Sequence, residues 1–529
     1  MSEPQKQVGG GRLKANILKN VTSNWMALST NILLSFFMAP FIVRSLGNVY
    51  YGIWVLLSQF TGYLWLFDFG VRESVIKYVA QYQANERYEE LGATVNAALF
   101  LYSGIASLTL LATVAMSLAL PYLFNIPTES VTDARWTLLC TGASVAQGFV
   151  FNVFVGVLMG LQRWYLVSRM GVLFSLVRAA LIVIALSAGH RIVALAAIQL
   201  TVSTVGNLMV LWLAWRSLPE YKPRLVLPRR EEITKVFGYS KYVLGNNIGE
   251  KVVFGTDGVV IGAFLPIATL TYYSIAGSLA GYLRMFMVTM AAVLNPVSSA
   301  LEAKQDTERL ATLFFQASKT SVILGLPVCI GFIILGSRFI GLWMGPSFAL
   351  ISGRVLVILA IATLFGLPHY CISMVLYGLG RHRIMAQWRA VEAVMNIVLS
   401  VTLVQSLGLI GVALGTLCPH VLIAAGVLPY KMAGVMNFRL RNYYVSIYGR
   451  PFLASLPFAG ACYVIDTMVS PGSLVTFFPS VAMALAVYVT PCWFLALSAV
   501  ERRAILARVK IPFRWRWSQE SAGSPPDMR

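Results

Sequence analysis

Fourteen long apolar runs decide what this chain can fold into. They lie at roughly 23–43, 51–70, 94–120, 136–161, 165–188, 192–215, 241–265, 267–295, 318–341, 352–377, 385–407, 410–433, 451–468 and 475–497. A helix that crosses a bilayer needs about 20 mostly apolar residues, and most of these runs reach or approach that length. Strands of a membrane barrel would instead alternate over segments of about ten residues, a pattern the runs lack. Composition agrees, with 58% of the 529 residues hydrophobic and 12% charged. A soluble chain has about 25% charged residues, and half of that cannot cover a soluble surface. A soluble enzyme, a disordered tail protein and a disulfide-rich secreted domain are all disfavoured.

The basic residues sort themselves around these runs. With the N-terminus placed inside, 32 of the 41 Lys and Arg residues fall on the cytoplasmic side. Arg44, Arg135, Arg191, Arg338 and Arg354 fall outside, and Arg178, Lys241, Lys251 and Arg284 lie in or at the edge of runs. Positive charge on the inner side is the orientation rule for membrane helices, so both termini are expected in the cytoplasm. The +20 net charge therefore reports topology, and no nucleic-acid partner is expected. Four basic residues precede a first run too long for a signal-peptide core, so an uncleaved first span is expected.

Enzymatic chemistry has little to stand on. No GxxxxGK[ST] loop and no DxD pair occurs, and no polar stretch is long enough to fold a catalytic domain. Cys140, Cys329, Cys371, Cys418, Cys462 and Cys492 all lie in apolar runs without CxxC spacing, as packing residues would. His369 and His420 each follow a proline in or near a run, where packing or pore lining is favoured over proton relay.

A faint internal copy is present. Val157–Arg163 (VLMGLQR) and Val375–Arg381 (VLYGLGR) match at five of seven positions, 218 residues apart, at the same place in each half. A weaker echo pairs Ile42–Tyr51 with Ile261–Tyr273. The expected fold is an all-α polytopic membrane protein with two six-helix lobes, plus two accessory helices. Six spans per lobe make the repeats parallel, related by a pseudo-two-fold axis along the membrane normal. The expected divisions are a cytoplasmic arm (1–22), an N-lobe (23–215), a cytoplasmic linker (216–240) and a C-lobe (241–433). An interfacial segment (434–450), an accessory pair (451–497) and a basic cytoplasmic tail (498–529) follow.

Charges inside spans are costly and mark function. Arg178, Lys251 and Arg284, with Tyr273 nearby, are expected to hold an anionic headgroup in a hydrated cavity; internal pairing of Lys251 or Arg284 with Glu392 is the alternative. Asp257, Glu392 and Asn396, with Glu250 on the same helix face as Asp257, form a candidate site for a coupling cation, either Na⁺ or H⁺. Depth argues partly against this cluster, since Asp257 and Glu392 differ in place along their spans by about 13 Å at 1.5 Å per residue, with Asn396 closer in height. Gly277 and Gly281 predict close helix packing. The Arg- and Tyr-rich stretch Asn437–Arg450 and the tail around Arg508–Trp517 suit anionic membrane lipid.

Several motifs carry a family resemblance. Leu46–Gly52 (LGNVYYG), Phe67–Arg72 (FDFGVR) and Ile76–Ala80 (IKYVA) follow one another around span two. With the turns at Gly160–Arg163 and Gly378–Arg381, Asp257, Tyr272–Tyr273 and Pro296, their order resembles bacterial polysaccharide exporters of the Wzx flippase type. These belong to the multidrug, oligosaccharidyl-lipid and polysaccharide exporter (MOP) superfamily, and the resemblance covers roughly residues 15–435. It implies a flippase of undecaprenyl-diphosphate-linked oligosaccharide in the bacterial inner membrane, serving surface polysaccharide synthesis alongside polymerase and assembly proteins. The chain is also similar to the lipid II flippase branch, but the run at Asn24–Ile42 lacks that branch's arginines. A glycan polymerase or ligase generally needs a large outer loop, which is not found. Asp68 and Arg72, with Gly70 between them, are expected to pair four residues apart at a helix end.

Overall fold

The computed structural model describes residues 10–218, 228–234, 255–499, 501–503 and 506, with the side chains at 10–21, 24 and 25 excepted. Among the described residues there is no strand. Eleven helical stretches are long and apolar enough to cross a membrane. Large apolar side chains such as Phe37, Leu111, Ile184 and Val489 point outward, as a lipid solvent permits. The chain is a multi-pass membrane protein.

In chain order the helices are α1 (Gly10–Leu64), α2 (Val71–Ala84), α3 (Tyr88–Leu123), α4 (Val131–Gly160), α5 (Trp164–Ser187) and α6 (Ile192–Ser217). After α7 (Gly255–Phe264) come α8 (Ala268–Ala291), α9 (Leu294–Ala303), α10 (Thr307–Trp343), α11 (Pro346–Gly366), α12 (His369–Gly378) and α13 (His382–Val421). The last are α14 (Leu428–Met436), α15 (Leu440–Tyr444), α16 (Arg450–Val464) and α17 (Leu474–Pro491).

Two stretches hold two expected runs each. Met26–Asp68, at 43 residues, is roughly 65 Å long at 1.5 Å per residue, about twice a hydrocarbon core. Gly47 breaks it with φ 73°, between the runs at 23–43 and 51–70. Gly408, with φ 57°, breaks α13 between the runs at 385–407 and 410–433. Both need a left-handed residue where the chain reverses, which glycine supplies without a Cβ clash. Of the run at 241–265, only residues 255–265 lie among the described residues, with Gly255–Phe264 helical. The stretch expected at the interface is helical and continues into α16, so that Leu440–Val469 is one apolar stretch of 30 residues.

The described residues pack as two units, 1–278 with 386–419, and 279–385 with 420–529. The unit boundaries fall inside α8 and α13. In the first unit α4 packs against α2, α3 and α6. Val71, Val75, Leu91, Val95, Tyr102, Phe149, Val153 and Val157 belong to its core. In the second unit α10 packs against α11 and α16, and α9 against α12. The Lys319 ammonium on α10 meets Glu501 at 2.7 Å, and Glu501 also accepts from the Ser498 backbone N–H at 2.7 Å. The chain just beyond α17 is thereby tied back to α10. His369 and His420 are both buried there, with ring centroids 5.7 Å apart, as packing residues would be. None of the six cysteines is in a disulfide.

The two copied turns have the same backbone. The Arg163 N–H donates to the Leu158 carbonyl at 2.9 Å, and the Arg381 N–H to the Leu376 carbonyl at 2.9 Å. Gln162 (φ 59°) and Gly380 (φ 67°) are both left-handed. Gly160 and Gly378 play the same part: a Cβ on Gly160 would lie 3.0 Å from the Ile76 carbonyl, and one on Gly378 would lie 2.5 Å from the Asn295 carbonyl. The weaker echo segments touch one another. Thr271 donates its hydroxyl to the Asn48 carbonyl at 2.7 Å, and the Asn48 amide donates to the Tyr272 hydroxyl at 3.2 Å.

Two expectations need correction. Asp68 and Arg72 do not share a helix turn, because Phe69 (φ 50°) and Gly70 (φ 76°) are both left-handed and interrupt the helix between them. Asp68 instead accepts from the Tyr102 hydroxyl, while Arg72 pairs with Glu73 at 3.0 Å. The Arg72 backbone N–H donates to the same Tyr102 oxygen at 3.0 Å. Gly277 and Gly281 pack against no second helix among the described residues. A Cβ on Gly277 would meet nothing within 4 Å, and one on Gly281 only Arg284 of the same helix, at 3.7 Å.

Candidate functional site

Two polar sites lie within the first unit, apart from the Asp68 cluster. The first is a cleft of about 270 Å³ between α5 and α6. Helical spacing builds it: Gly171, Ser175 and Arg178 recur along one side of α5, and Gln199, Ser203 and Asn207 recur every four residues along α6. Phe174 lies over Gly206, where a Cβ would sit 3.2 Å from its ring. Arg178 is half-buried and donates to the Gln199 side-chain oxygen at 2.7 Å. Among the described residues no carboxylate lies within ion-pair distance of it, and none lines the cleft. A guanidinium hydrogen-bonded to a neutral amide keeps its full charge and further N–H donors for an anion.

Ser203 is anchored from behind, accepting from the Gln147 amide at 2.9 Å and lying 2.8 Å from the Ser144 hydroxyl. Ser175 donates to the Asn31 side-chain oxygen at 2.9 Å. These bonds hold the cleft walls in one arrangement.

The second site is a hydrogen-bond chain that joins α7, α8 and both parts of α13. Thr256 donates to the Asn396 side-chain oxygen at 3.0 Å, and the Asn396 amide donates to the Thr416 hydroxyl at 3.0 Å. Thr416 in turn donates to Asp257, 3.0 Å from each carboxylate oxygen. Tyr273 donates to the same carboxylate at 2.6 Å. Asp257 is 7% exposed and Asn396 1%, so the network is buried. Its atoms are oxygen-rich and include one carboxylate, a donor set that fits a hard monovalent cation or a proton.

The expected residues are thus partly regrouped. Asp257 and Asn396 come together, bridged by Thr416. Tyr273, expected beside the substrate, sits with them. Glu392, one turn before Asn396 on α13, is 1% exposed and pairs with Arg389 at 3.1 Å. Arg178 stands in the α5–α6 cleft, and Arg284 is half-buried on α8 in the second unit. Lys251 and Glu250 lie outside the described residues. Gly160, Arg163, Gly378 and Arg381 form the copied turns.

Thr256, Thr416, Gln199 and Asn207 escaped the sequence reading. Neutral polar residues in an apolar run carry no charge to flag them. The fourfold spacing of Gln199, Ser203 and Asn207, facing Ser175 and Arg178, was the available signal.

Residues 17–302, more than half of the chain, match the family model described as polysaccharide biosynthesis protein. The chain belongs to that family. Among curated relatives of this family member, a probable low-salt glycan biosynthesis flippase (Agl15) of Haloferax volcanii is 25% identical over 288 residues. That alignment covers 53% of this chain and spans little more than half, 58%, of the relative's own length. The uncharacterized membrane protein EpsK of Bacillus subtilis is 21% identical over 93% of this chain and 97% of its own.

Solved structures share the fold of this chain. The lipid II flippase MurJ in an inward closed conformation superposes with a TM-score of 0.66 at 17% identity, over 94% of this chain and 100% of its own. An inward-facing MATE family transporter of the MOP superfamily gives 0.62 at 15% identity, over 79% of this chain and 98% of its own.

Proposed function

We propose that this family member is a flippase for undecaprenyl-diphosphate-linked oligosaccharide in the bacterial inner membrane. It moves repeat units outward for surface polysaccharide synthesis by exposing its cleft to the two faces in turn. The observation that carries the reading is Arg178, a cation within a span that is bonded to the neutral Gln199 and faces an open cleft. An uncompensated charge in a membrane helix is costly unless it serves a ligand, and a diphosphate is the anionic part of such a lipid. The family match and the relative named as a glycan biosynthesis flippase support the substrate class. The matching turns at Gln162 and Gly380 support a duplication into two six-span lobes, and the distribution of Lys and Arg supports both termini inside.

The Asp257 network supplies the driving step in this account. A cation or proton entering from the outer side would bind Asp257 with Thr416, Asn396 and Tyr273 as further oxygen ligands or partners. Its binding would bias the equilibrium between inward and outward states, as differential affinity must.

The reading is tested by deleting the gene and determining the sidedness of the lipid-linked glycans that accumulate. Complete repeat units held on the inner face are expected. Accumulation on the outer face would point to a polymerase or ligase and overturn the proposal.

A further inference from the structure

We infer that the α5–α6 cleft is a sugar subsite as well as an anion site, with Asn207 and Gln199 as the residues that read the first sugar of the lipid-linked glycan. This inference rests on the flippase reading and deepens it.

The cleft offers more than a diphosphate needs. Arg178 uses one N–H on Gln199, and Gln199 uses only its oxygen to accept it. Among the described residues the Gln199 amide nitrogen has no partner, and the Asn207 side chain makes no hydrogen bond at all. Both line the cleft and neither is fully buried. Gln199 and Asn207 are separated along α6 by about 12 Å at 1.5 Å per residue. That separation leaves room for a ring between a headgroup at Arg178 and the Asn207 amide.

The remaining walls suit a pyranose. Sugar rings have an apolar C–H face and a rim of hydroxyls that donate and accept. Phe174, Val202 and Met170 give the cleft an apolar surface, while the Asn207 and Gln199 amides present both donors and acceptors. Ser175, whose proton is committed to Asn31, can only accept. Gly206 fits this arrangement, since a Cβ there would press on the Phe174 ring at 3.2 Å. A site for the diphosphate alone would need the cation but no amides a further two turns along α6.

The test compares two probes on the purified full chain in nanodiscs: undecaprenyl diphosphate, and the same lipid carrying a single glucose on its diphosphate. Asn207→Leu is expected to weaken binding of the glucosyl lipid by about three- to tenfold, the effect of losing one or two hydrogen bonds, and to leave the bare diphosphate within about twofold. Asn207→Ser keeps a polar group and is expected to lose less, and Arg178→Gln is expected to weaken both lipids alike. Equal losses for both lipids in Asn207→Leu, or no loss for either, would overturn the sugar subsite while leaving the flippase reading intact. Should Asn207→Leu fail to fold, the Asn207→Ser comparison decides by the same criterion. Wild-type protein that binds neither lipid would overturn both.

Discussion

Tyr273 donates its hydroxyl to the Asp257 carboxylate at 2.6 Å, and this bond ties α8 to α7 inside one buried network. The residue expected to meet the substrate is instead a partner of the residue expected to meet the cation. Coupling in this account therefore depends on Tyr273 as well as on Asp257. Tyr273→Phe removes one donor to a buried carboxylate, a change worth about 1–3 kcal/mol. We expect it to lower thermal stability in detergent and to reduce, without abolishing, gradient-driven transport. Asp257→Asn is expected to abolish the response to an imposed Na⁺ or proton gradient. Transport by Asp257→Asn that still follows either gradient as the wild type does would remove this network from coupling.

Tyr102 holds the turn between α1 and α2. Its hydroxyl donates to Asp68 and accepts the Arg72 backbone N–H, and its side chain is fully buried. Tyr102→Phe leaves both half-buried groups without that partner, at about 1 kcal/mol for each. A clear drop in melting temperature is expected, with little change in lipid affinity at the α5–α6 cleft. An unchanged melting temperature would mean that the turn is held elsewhere.

Gly160 and Gly378 are expected to respond alike to substitution. Alanine at Gly378 would set a Cβ 2.5 Å from the Asn295 carbonyl, and at Gly160 one 3.0 Å from the Ile76 carbonyl. Backbone cannot yield as a side chain tip can, so each should cost about 1–3 kcal/mol by overpacking. The tighter site, Gly378, should be the more sensitive. Thermal unfolding of the two alanine variants checks this order.

Glu501 predicts an acid-sensitive contact. Burial alone would raise its pKa, but the hydrogen bonds from Lys319 and Ser498 outweigh it and hold the carboxyl below the ordinary 4.5. A depressed folded-state pKa means that the stabilisation is complete above the ordinary value and is lost as pH falls through the lowered one. Melting temperature of the wild type should therefore fall more steeply below about pH 4.5 than that of Glu501→Gln. Parallel curves for the two proteins would contradict the assignment.

The helical scaffold was legible in the sequence because lipid demands long apolar runs and loops collect lysine and arginine. Most runs lie within helices, and the copied VLMGLQR and VLYGLGR turns share their hydrogen bonds. Local charge patterns were less reliable. Asp68 and Arg72 have helical spacing, but spacing says nothing about Phe69 and Gly70 interrupting the helix between them. Tyr273 and Thr416 could not be joined to Asp257 from spacing, since they lie on separate helices whose register only packing fixes. The cleft amides were hidden for another reason: Gln199 and Asn207 look unremarkable among apolar neighbours until the facing Arg178 is seen to have no acidic partner among the described residues.

The most direct test of the account is translocation by purified protein in proteoliposomes loaded with undecaprenyl-diphosphate-linked oligosaccharide. Wild-type protein should move the glycan to the opposite leaflet, read by its exposure to an added glycan-cleaving enzyme. Arg178→Gln, reconstituted at equal density and with an unchanged melting temperature, should leave it where it was loaded. Translocation by Arg178→Gln at the wild-type rate, or none by the wild type under either imposed gradient, would contradict the central claim.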